Sequence, residues 1–311
     1  MLIYKQRRAR GSVLAKDSHY FPIALACLGV MTFSLMDVVM KAQALSMGVY
    51  NAMFWRMAIG ATLMTLLYRP TPAKLIRGHW DQTWRLHLIR AVLSASMLYL
   101  LFFALTRIPL AQAVGLAFIA PIVALFLAPP ILGERINRSA KLSALLGFGG
   151  VAVVAIGEFR ATGSDSDWLG LIAVLVFAFL YGLNLVLQRK QALLTDAMEI
   201  VFFQNVLVFI ILLTIAPLYA VWPDSSSEWA GSAAAALLAV CSLLLLTRAY
   251  RLAEAQKLVS IEYTAFIWAA IFGWLVFSET VSLRTLLGTA LIVLGCFISA
   301  SDTKSNSTAS E

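Results

Sequence analysis

Length, composition and charge place this chain in a membrane before any motif is considered. Of its 311 residues, 61% are hydrophobic and 13% are charged, whereas soluble domains carry roughly 25% charged residues. A chain so poor in charge cannot cover a water-facing surface, which excludes a soluble globular protein and makes the lipid bilayer its first partner. The net charge of +8 is assigned to loops that orient the chain in the bilayer, so nucleic acid is not expected as a partner.

Ten apolar segments are predicted to be membrane-spanning helices, because each approaches the roughly 20 residues that cross a bilayer. In chain order, spans 1 to 10 are Pro22–Lys41, Tyr50–Tyr68, Leu86–Thr106, Leu110–Leu132, Ala140–Gly157, Trp168–Gln188, Ala197–Leu218, Ala230–Thr247, Leu258–Ser278 and Leu283–Ser301. Pro121, Pro129 and Pro130 lie inside span 4 and are expected to bend it or cut it short. The predicted fold class is an all-α polytopic membrane protein.

The distribution of Lys and Arg orients the spans. With the N-terminus placed in the cytoplasm, 18 of the 24 basic residues fall on the cytoplasmic side, four fall on the opposite side, and Arg56 and Arg90 lie within spans. Cytoplasmic loops of membrane proteins carry such an excess of positive charge. Both termini are therefore predicted to be cytoplasmic, which agrees with an even number of spans.

The second half of the chain repeats the first. The segments Ala111–Arg135 and Ala255–Thr280 both begin with Ala-Gln, continue through an apolar run and end near a glutamate. Each half has five predicted spans, an odd number, so the second half must cross the membrane in the opposite sense, as two inverted five-helix repeats. The predicted organisation is an N-terminal arm (1–20), a first repeat (21–158), a second repeat (159–301) and a C-terminal tail (302–311).

Polar residues inside spans are the candidate binding residues, because polar groups are costly in lipid and usually line a cavity. Asp37 and Lys41 lie four residues apart on span 1. This spacing indicates either a local ion pair with Lys41 reaching the interface, or a gating or cavity role for Asp37. Arg56 in span 2 must face protein, water or an anion, and Asp37 is one partner to consider.

Alignment of the two halves pairs charged residues of the first with amides of the second. The matched residues are Asp37 with Asn184, Lys41 with Gln188 and Arg56 with Gln204. The hypothesis is an electrostatically asymmetric cavity, in which the first half handles charge and the second half supplies hydrogen bonds.

Span 9 contributes the other candidate binding residues. Glu262 is interpreted either as a carboxylate that binds a cationic group or carries a proton, or as an acid at a helix N-terminus. Tyr263 and Trp268 follow it on the same span. Trp268 could stack a flat ligand together with Tyr99 and Tyr181; helix packing and interface anchoring are the alternatives for these rings.

Two glutamates hold matching places at opposite membrane faces. Glu134 and Glu279 are expected to end a helix and to tie the next one through nearby basic residues, namely Arg135, Arg138 and Arg284.

Catalytic and metal motifs are not found. The three cysteines are scattered, and His19, His79 and His87 are assigned to the N-terminal arm and the second inter-helix loop with spacings that fit no zinc site. No nucleophile elbow, zinc-protease motif or phosphate loop is present. An enzyme is therefore not predicted, and no cofactor is expected.

The motifs resemble the drug/metabolite transporter superfamily, in particular its ten-helix EamA-like branch. The resemblance covers about Phe21 to Ser301 and rests on Phe-Trp-Arg at Phe54–Arg56, on Ala120–Arg135 and on Glu262–Glu279. Ile261 departs from it, because many relatives carry proline there. The resemblance implies an inner-membrane secondary carrier in which helices 1, 3, 4, 6, 8 and 9 line a central cavity and two four-helix bundles rock about it.

The predicted function is alternating-access transport of a small organic metabolite, such as an amino acid or a solute like S-adenosylmethionine, a vitamin or a drug. The driving force is either a proton gradient acting through Glu262 or Asp37, or the solute gradient alone. The alternative is a lipid scramblase or a non-transporting membrane scaffold. Both a monomer and a homodimer fit the sequence.

Overall fold

The computed structural model describes residues 21–69, 83–132, 142, 145–153, 165–192, 194–195, 197–252 and 264–294. The N-terminal arm, the C-terminal tail, and the residues Glu134, Glu262 and Tyr263 lie outside the described residues. The proposals made for Glu134, Glu262 and Tyr263 therefore stay predictions.

The described part of the chain is mainly α-helical, and a helix lies within each of the ten predicted spans. The helices are α1 (Phe21–Met47), α2 (Val49–Tyr68), α3 (Thr83–Leu105), α4 (Leu110–Ala117), α5 (Ala120–Leu132), α6 (145–153), α7 (Asp165–Ala192), α8 (Ala197–Tyr219), α9 (Ser226–Leu252), α10 (Thr264–Phe277) and α11 (Leu283–Leu294). No residue in these segments adopts a β-strand. The predicted all-α fold class is confirmed.

Five of the described helices are long and apolar enough to cross a membrane: Ala24–Met47, Thr83–Leu105, Trp168–Gln188, Met198–Tyr219 and Ser226–Leu246. Large apolar side chains stand exposed on the helix surfaces; Leu66, Leu218 and Leu286 are 50% exposed or more. In water such surfaces would be costly, whereas lipid tails cover them without penalty. The exposed apolar surface therefore agrees with a multi-pass membrane protein.

Span 4 is divided into two helices. The chain turns at Phe118 and Ile119, so that α4 ends at Ala117 and α5 begins at Ala120. Pro121 stands in the first turn of α5, where its missing N–H costs little because that N–H has no partner within the helix. The predicted interruption of span 4 is present, and it falls just before Pro121.

Helix packing follows a two-fold pattern between the halves. The first helix of each half packs against the third helix of the other, α1 on α9 and α7 on α3, while the second helices α2 and α8 pack on each other. Where α1 meets α9, the Ser242 hydroxyl donates to the Gly29 carbonyl at 2.9 Å. A pseudo-two-fold axis that relates two repeats produces this pattern, in which each half packs its first helix on the third helix of the other half.

The first helices of the two halves run in opposite directions. Near the C-terminal end of α1, Lys41 contacts the carbonyl of Ile108 in the α3–α4 connection. The same connection lies against the N-terminal end of α7, where a Cβ on Gly170 would meet Arg107 and Ile108. One connection thus touches the end of α1 and the start of α7, which is the inverted arrangement of the repeats.

Candidate functional site

Buried polar residues gather in two clusters at opposite ends of the helices. The first is the ion-pair site, which consists of the Lys41 and Glu279 side chains, the Ile108 backbone carbonyl and the Leu110 backbone N–H. It lies next to the turns that join α1 to α2 and α3 to α4. The second, the amide site, consists of Arg90, Asn184, Gln191 and Gln204, close to the other ends of α3, α7 and α8.

The ion-pair site joins the two halves of the chain. Lys41 on α1 is 5% exposed, and its ammonium pairs with the Glu279 carboxylate, which follows α10. The ammonium also donates to the Ile108 carbonyl at 3.1 Å and lies 5.0 Å from the centre of the Phe277 ring. The pair is costly to separate, because the buried ammonium and the partly buried carboxylate would each lose the counter-charge.

Glu279 is held by the beginning of α4 as well. Its Oε2 accepts the backbone N–H of Leu110 at 2.8 Å, one of the N–H groups that a helix start leaves free. The positive end of the helix dipole favours a carboxylate at this position. The Glu279 carboxylate, which belongs to the second half, therefore contacts both α1 and α4 of the first half.

These contacts correct two expectations drawn from the sequence. Lys41 pairs with Glu279 rather than with Asp37, so the local ion pair is not formed, and its ammonium is buried against protein groups. The partner of Glu279 is Lys41, 238 residues away, rather than a basic residue next in sequence. Sequence spacing could not show this contact, because it depends on how the halves pack.

A small cavity of about 60 Å³ adjoins the ion-pair site. Its lining includes Gln112 of α4, Gly273 of α10, Glu279 and Thr285 of α11. Gln112 is 2% exposed, and no described residue offers its Nε2 a hydrogen bond. The cavity therefore offers a donor and a carboxylate between helices of both halves.

The amide site surrounds a single buried cation. Arg90 of α3 is 3% exposed. Its Nε donates to Asn184 Oδ1 at 3.1 Å, its Nη2 donates to Gln204 Oε1 at 3.3 Å, and its Nη1 donates to Gln191 Oε1. All three acceptors are neutral side-chain amides, and all belong to the second half of the chain.

The amide site continues toward the helix ends. Gln191 Nε2 lies 2.6 Å from His87 Nδ1, and His87 Nε2 lies 3.6 Å from Glu199 Oε1. His87 is buried one turn before Arg90 on α3. The assignment of His87 to an inter-helix loop was wrong, because α3 begins at Thr83.

Asp37 and Arg56 lie inside the helix bundle, where they are 6% and 5% exposed. Among the described residues, Asp37 Oδ1 and Arg56 Nε find no hydrogen-bond partner. The direct ion pair considered for them is not formed within the described part of the chain, although their charges interact across the gap. Two buried groups of opposite charge thus stay open to a ligand or to water.

Two of the second-half amides that the alignment pairs with charged residues of the first half belong to the amide site. Asn184 and Gln204, the matches of Asp37 and Arg56, both accept hydrogen bonds from Arg90. The second half therefore uses its amides to hold a cation of the first half, a role that the alignment alone did not suggest.

The aromatic candidates are placed apart from one another. Tyr99 is 45% exposed on α3, on the stripe of Leu88 and Val92 that faces away from Arg90. Tyr181 stacks on Phe177 with centroids 5.6 Å apart. Trp268 stacks on Phe272 at 5.9 Å and packs against the buried contact of α1 with α9. The structure does not bring these three rings together.

Sequence reasoning passed over Arg90, although a signal was available. Arg90 is a charged residue inside a predicted span, which by itself marks a functional candidate, but it was counted only for membrane orientation. Gln191 lies beyond the predicted end of span 6, so its place beside Arg90 could not be seen. In the described residues, no group of three or more His, Cys, Asp or Glu side chains could hold a metal ion.

Comparison with known proteins agrees with this architecture. The chain is 29% identical over 287 residues to the "Pseudopaline exporter CntI" of Pseudomonas aeruginosa, covering 91% of this chain and 96% of that protein. It is 24% identical over 242 residues to the "Riboflavin transporter" of Brucella anthropi, covering 77% and 84%. A crystal structure with 20% identity superposes with a TM-score of 0.58 over 88% of this chain and 95% of that one, which shows the fold alone.

The two halves also match one family description in succession. The model of the EamA-like transporter family matches residues 20–156 and then residues 168–301, which leaves only the ends and a short connection unmatched. Together with the helical fold and the exchange of partners between halves, this match establishes that the chain belongs to the EamA-like transporter family.

Proposed function

We propose that this chain is a secondary transporter that moves a small organic solute across the bacterial inner membrane by alternating access. The ion-pair site carries the proposal, because it joins the two halves at one membrane face through a contact that can break and re-form. By the distribution of Lys and Arg, this face is periplasmic and both termini are cytoplasmic.

In this proposal the ion-pair site is formed when the periplasmic face is closed. Lys41 is buried and Glu279 is partly buried against the start of α4, so separation of the halves at this face must first part the two charges. A solute entering the adjoining cavity meets Gln112 and Glu279. Interactions of the solute with these two side chains would offset part of the free energy needed to separate Lys41 from Glu279.

The solute path follows the unpartnered polar groups of the interior. Asp37 and Arg56 would present opposite charges to a solute. Asn184, which accepts a hydrogen bond from Arg90, belongs to the proposed path through the amide site. Glu262 and Tyr263 stay in the proposed set on the sequence pattern alone. Coupling to protons through Asp37 or Glu262 belongs to the same proposal.

Transport by the purified protein in liposomes tests the proposal. We would measure uptake of radiolabelled leucine, S-adenosylmethionine, riboflavin and pseudopaline, with and without a pH gradient. Saturable uptake of one solute is expected, with loss of most of it in Asp37→Asn. Lys190→Met, which alters an exposed residue at the end of α7, is the control. If a folded protein moves fluorescent phospholipid between leaflets and moves none of these solutes, the lipid scramblase is the better description.

The proposed closure is tested without a substrate. We would replace the three native cysteines, introduce Gln112→Cys and label it with a membrane-impermeant thiol reagent from the periplasmic side. Adding Lys41→Met should raise the labelling rate about tenfold or more, because loss of a buried partner biases the halves apart by about 1.4 kcal/mol or more. Equal labelling rates with and without the Lys41→Met substitution would contradict the role of the ion pair in closure.

A further inference from the structure

Arg90 differs from the other buried cations in the nature of its partners. Lys41 pairs with a carboxylate, and Arg56 interacts across a gap with Asp37. Arg90 donates only to amide oxygens within the described part of the chain. An amide dipole offsets a buried charge much less than an opposite charge does, so the amide site keeps a net positive charge in an apolar environment.

The Arg90 guanidinium and the Ser94 hydroxyl have hydrogen-bonding capacity left for a ligand. A guanidinium has five N–H donors, of which three are used. Ser94 lies one turn further along α3, on the same face, where residues four apart are neighbours. Ser94 is fully buried, and its hydroxyl meets no hydrogen-bond partner in the part of the chain that the structure describes. A fully buried hydroxyl without a partner is uncommon and indicates a missing ligand or water.

The neighbouring acid does not neutralise Arg90. Glu199 contacts His87, and a third of its side chain is exposed. Between it and Arg90 stand His87 and the amide of Gln191. Water screens such an exposed carboxylate, so the positive charge of Arg90 is left for another anion.

We propose that Arg90 and Ser94 bind an oxyanion of the transported solute, a carboxylate or a phosphate. The guanidinium supplies charge and two unused N–H groups, and the Ser94 hydroxyl donates a further hydrogen bond. Asn184, Gln191 and Gln204 hold the guanidinium in place when the solute is absent. This inference rests on the proposed transport function and deepens it, since it predicts that the solute carries a negative charge.

Small matched probes test the oxyanion site without knowledge of the solute. Acetate and acetamide have nearly the same shape and differ in charge. We expect acetate or phosphate at about 100 mM, with ionic strength held by chloride, to raise the thermal unfolding midpoint of the detergent-purified protein by roughly 2 °C or more over acetamide. Ser94→Ala should lose at least half of this difference, and Arg90→Gln should lose all of it.

Controls separate this site from general effects of salt. Arg107→Gln removes an arginine that stacks on the Phe103 ring, away from the amide site, and should keep the full difference. Micelles with phosphatidylglycerol or phosphatidylcholine distinguish a lipid phosphate from a free anion. An equal response to acetate and acetamide, or a response in Ser94→Ala and Arg90→Gln equal to that of the unaltered protein, overturns the proposal.

A built-in carboxylate provides an independent test. Gln191→Glu places a carboxylate of nearly the same shape on Arg90, so we expect a higher unfolding midpoint, loss of the acetate effect and at least tenfold slower transport. Gln188→Glu, an exposed position on the same helix, should change none of these. A lower midpoint in Gln191→Glu, or transport equal to that of the unaltered protein, counts against the oxyanion site.

The thermal measurements stand apart from the transport assay. If the unaltered protein transports no solute yet shows the acetate effect, the proposed function fails and the oxyanion site holds. If it transports solute but shows no acetate effect, the oxyanion site fails alone.

Discussion

The ion-pair site and the amide site each hold a buried cation, but the first gives it a charged partner and the second gives it neutral ones. At the ion-pair site, Lys41 meets a carboxylate, a carbonyl and an aromatic ring. At the amide site, Arg90 meets three neutral amides. A satisfied charge holds two helices together, whereas a charge held by amides can still take a counter-charge. In the proposed function, the first end of the molecule closes the path and the second binds the solute.

The largest effect is expected from breaking the ion pair on one side only. Lys41→Met removes the counter-charge of the Glu279 carboxylate, which keeps the Leu110 N–H. This change should lower the free energy of unfolding by about 3 kcal/mol. Thermal unfolding of the purified protein measures this change. The double variant Lys41→Met with Glu279→Leu should recover most of the loss, because no charge is then stranded. A double variant as unstable as the single one would contradict the pairing.

A smaller loss is expected at the amide site, where each acceptor is one of three. Asn184→Ala removes a buried acceptor and leaves the Arg90 Nε–H unpaired, at a cost of about 1–3 kcal/mol. Thermal unfolding again provides the measurement. Asn205→Ala is the matched control, because the Asn205 amide donates to the Val201 carbonyl of its own helix and not to another helix among those described. Equal losses in the two variants would show that Asn184 does not hold Arg90.

A steric change can loosen the ion-pair site without altering a charge. A Cβ on Gly273 would lie 2.9 Å from Glu279 Oε2, the atom that accepts the Leu110 N–H. Gly273→Ala should therefore displace the carboxylate, at a cost of about 1 kcal/mol. A Cβ on Gly149 meets nothing within 4 Å, so Gly149→Ala is the control. The difference between their unfolding midpoints measures the effect, and a midpoint for Gly273→Ala at or above that of Gly149→Ala would refute it.

The smallest effect is expected from the ring beside Lys41. Phe277→Leu keeps an apolar side chain and removes the cation–π contact at 5.0 Å, which is worth about 0.5–1 kcal/mol. The contact should matter only while the ammonium is present, so Phe277→Leu should cost less in a Lys41→Met background. A double-mutant cycle followed by thermal unfolding checks this, and a coupling energy of zero would exclude the contact.

The sequence predicts the architecture well because helix length, apolar composition and repetition are local properties. It predicts the location of all ten spans and an interruption of span 4. The interruption falls just before Pro121, whereas α5 continues through Pro129 and Pro130. The contacts of the sites are non-local. Glu279 was expected beside Arg284 and lies on Lys41, and Arg90 was noticed as a charge but not as a site. Such contacts depend on which helix of one half meets which helix of the other.

The division of span 4 has a mechanical consequence. In a continuous helix, a tilt at one end is carried to the other by the ladder of backbone hydrogen bonds. Here the chain turns at Phe118 and Ile119, and α4 touches Glu279 while α5 packs on α7. Both segments pack on α7, but no continuous ladder of helical hydrogen bonds joins them. In the proposed transport cycle, a tilt of α4 with Glu279 would therefore not be passed on in full to α5.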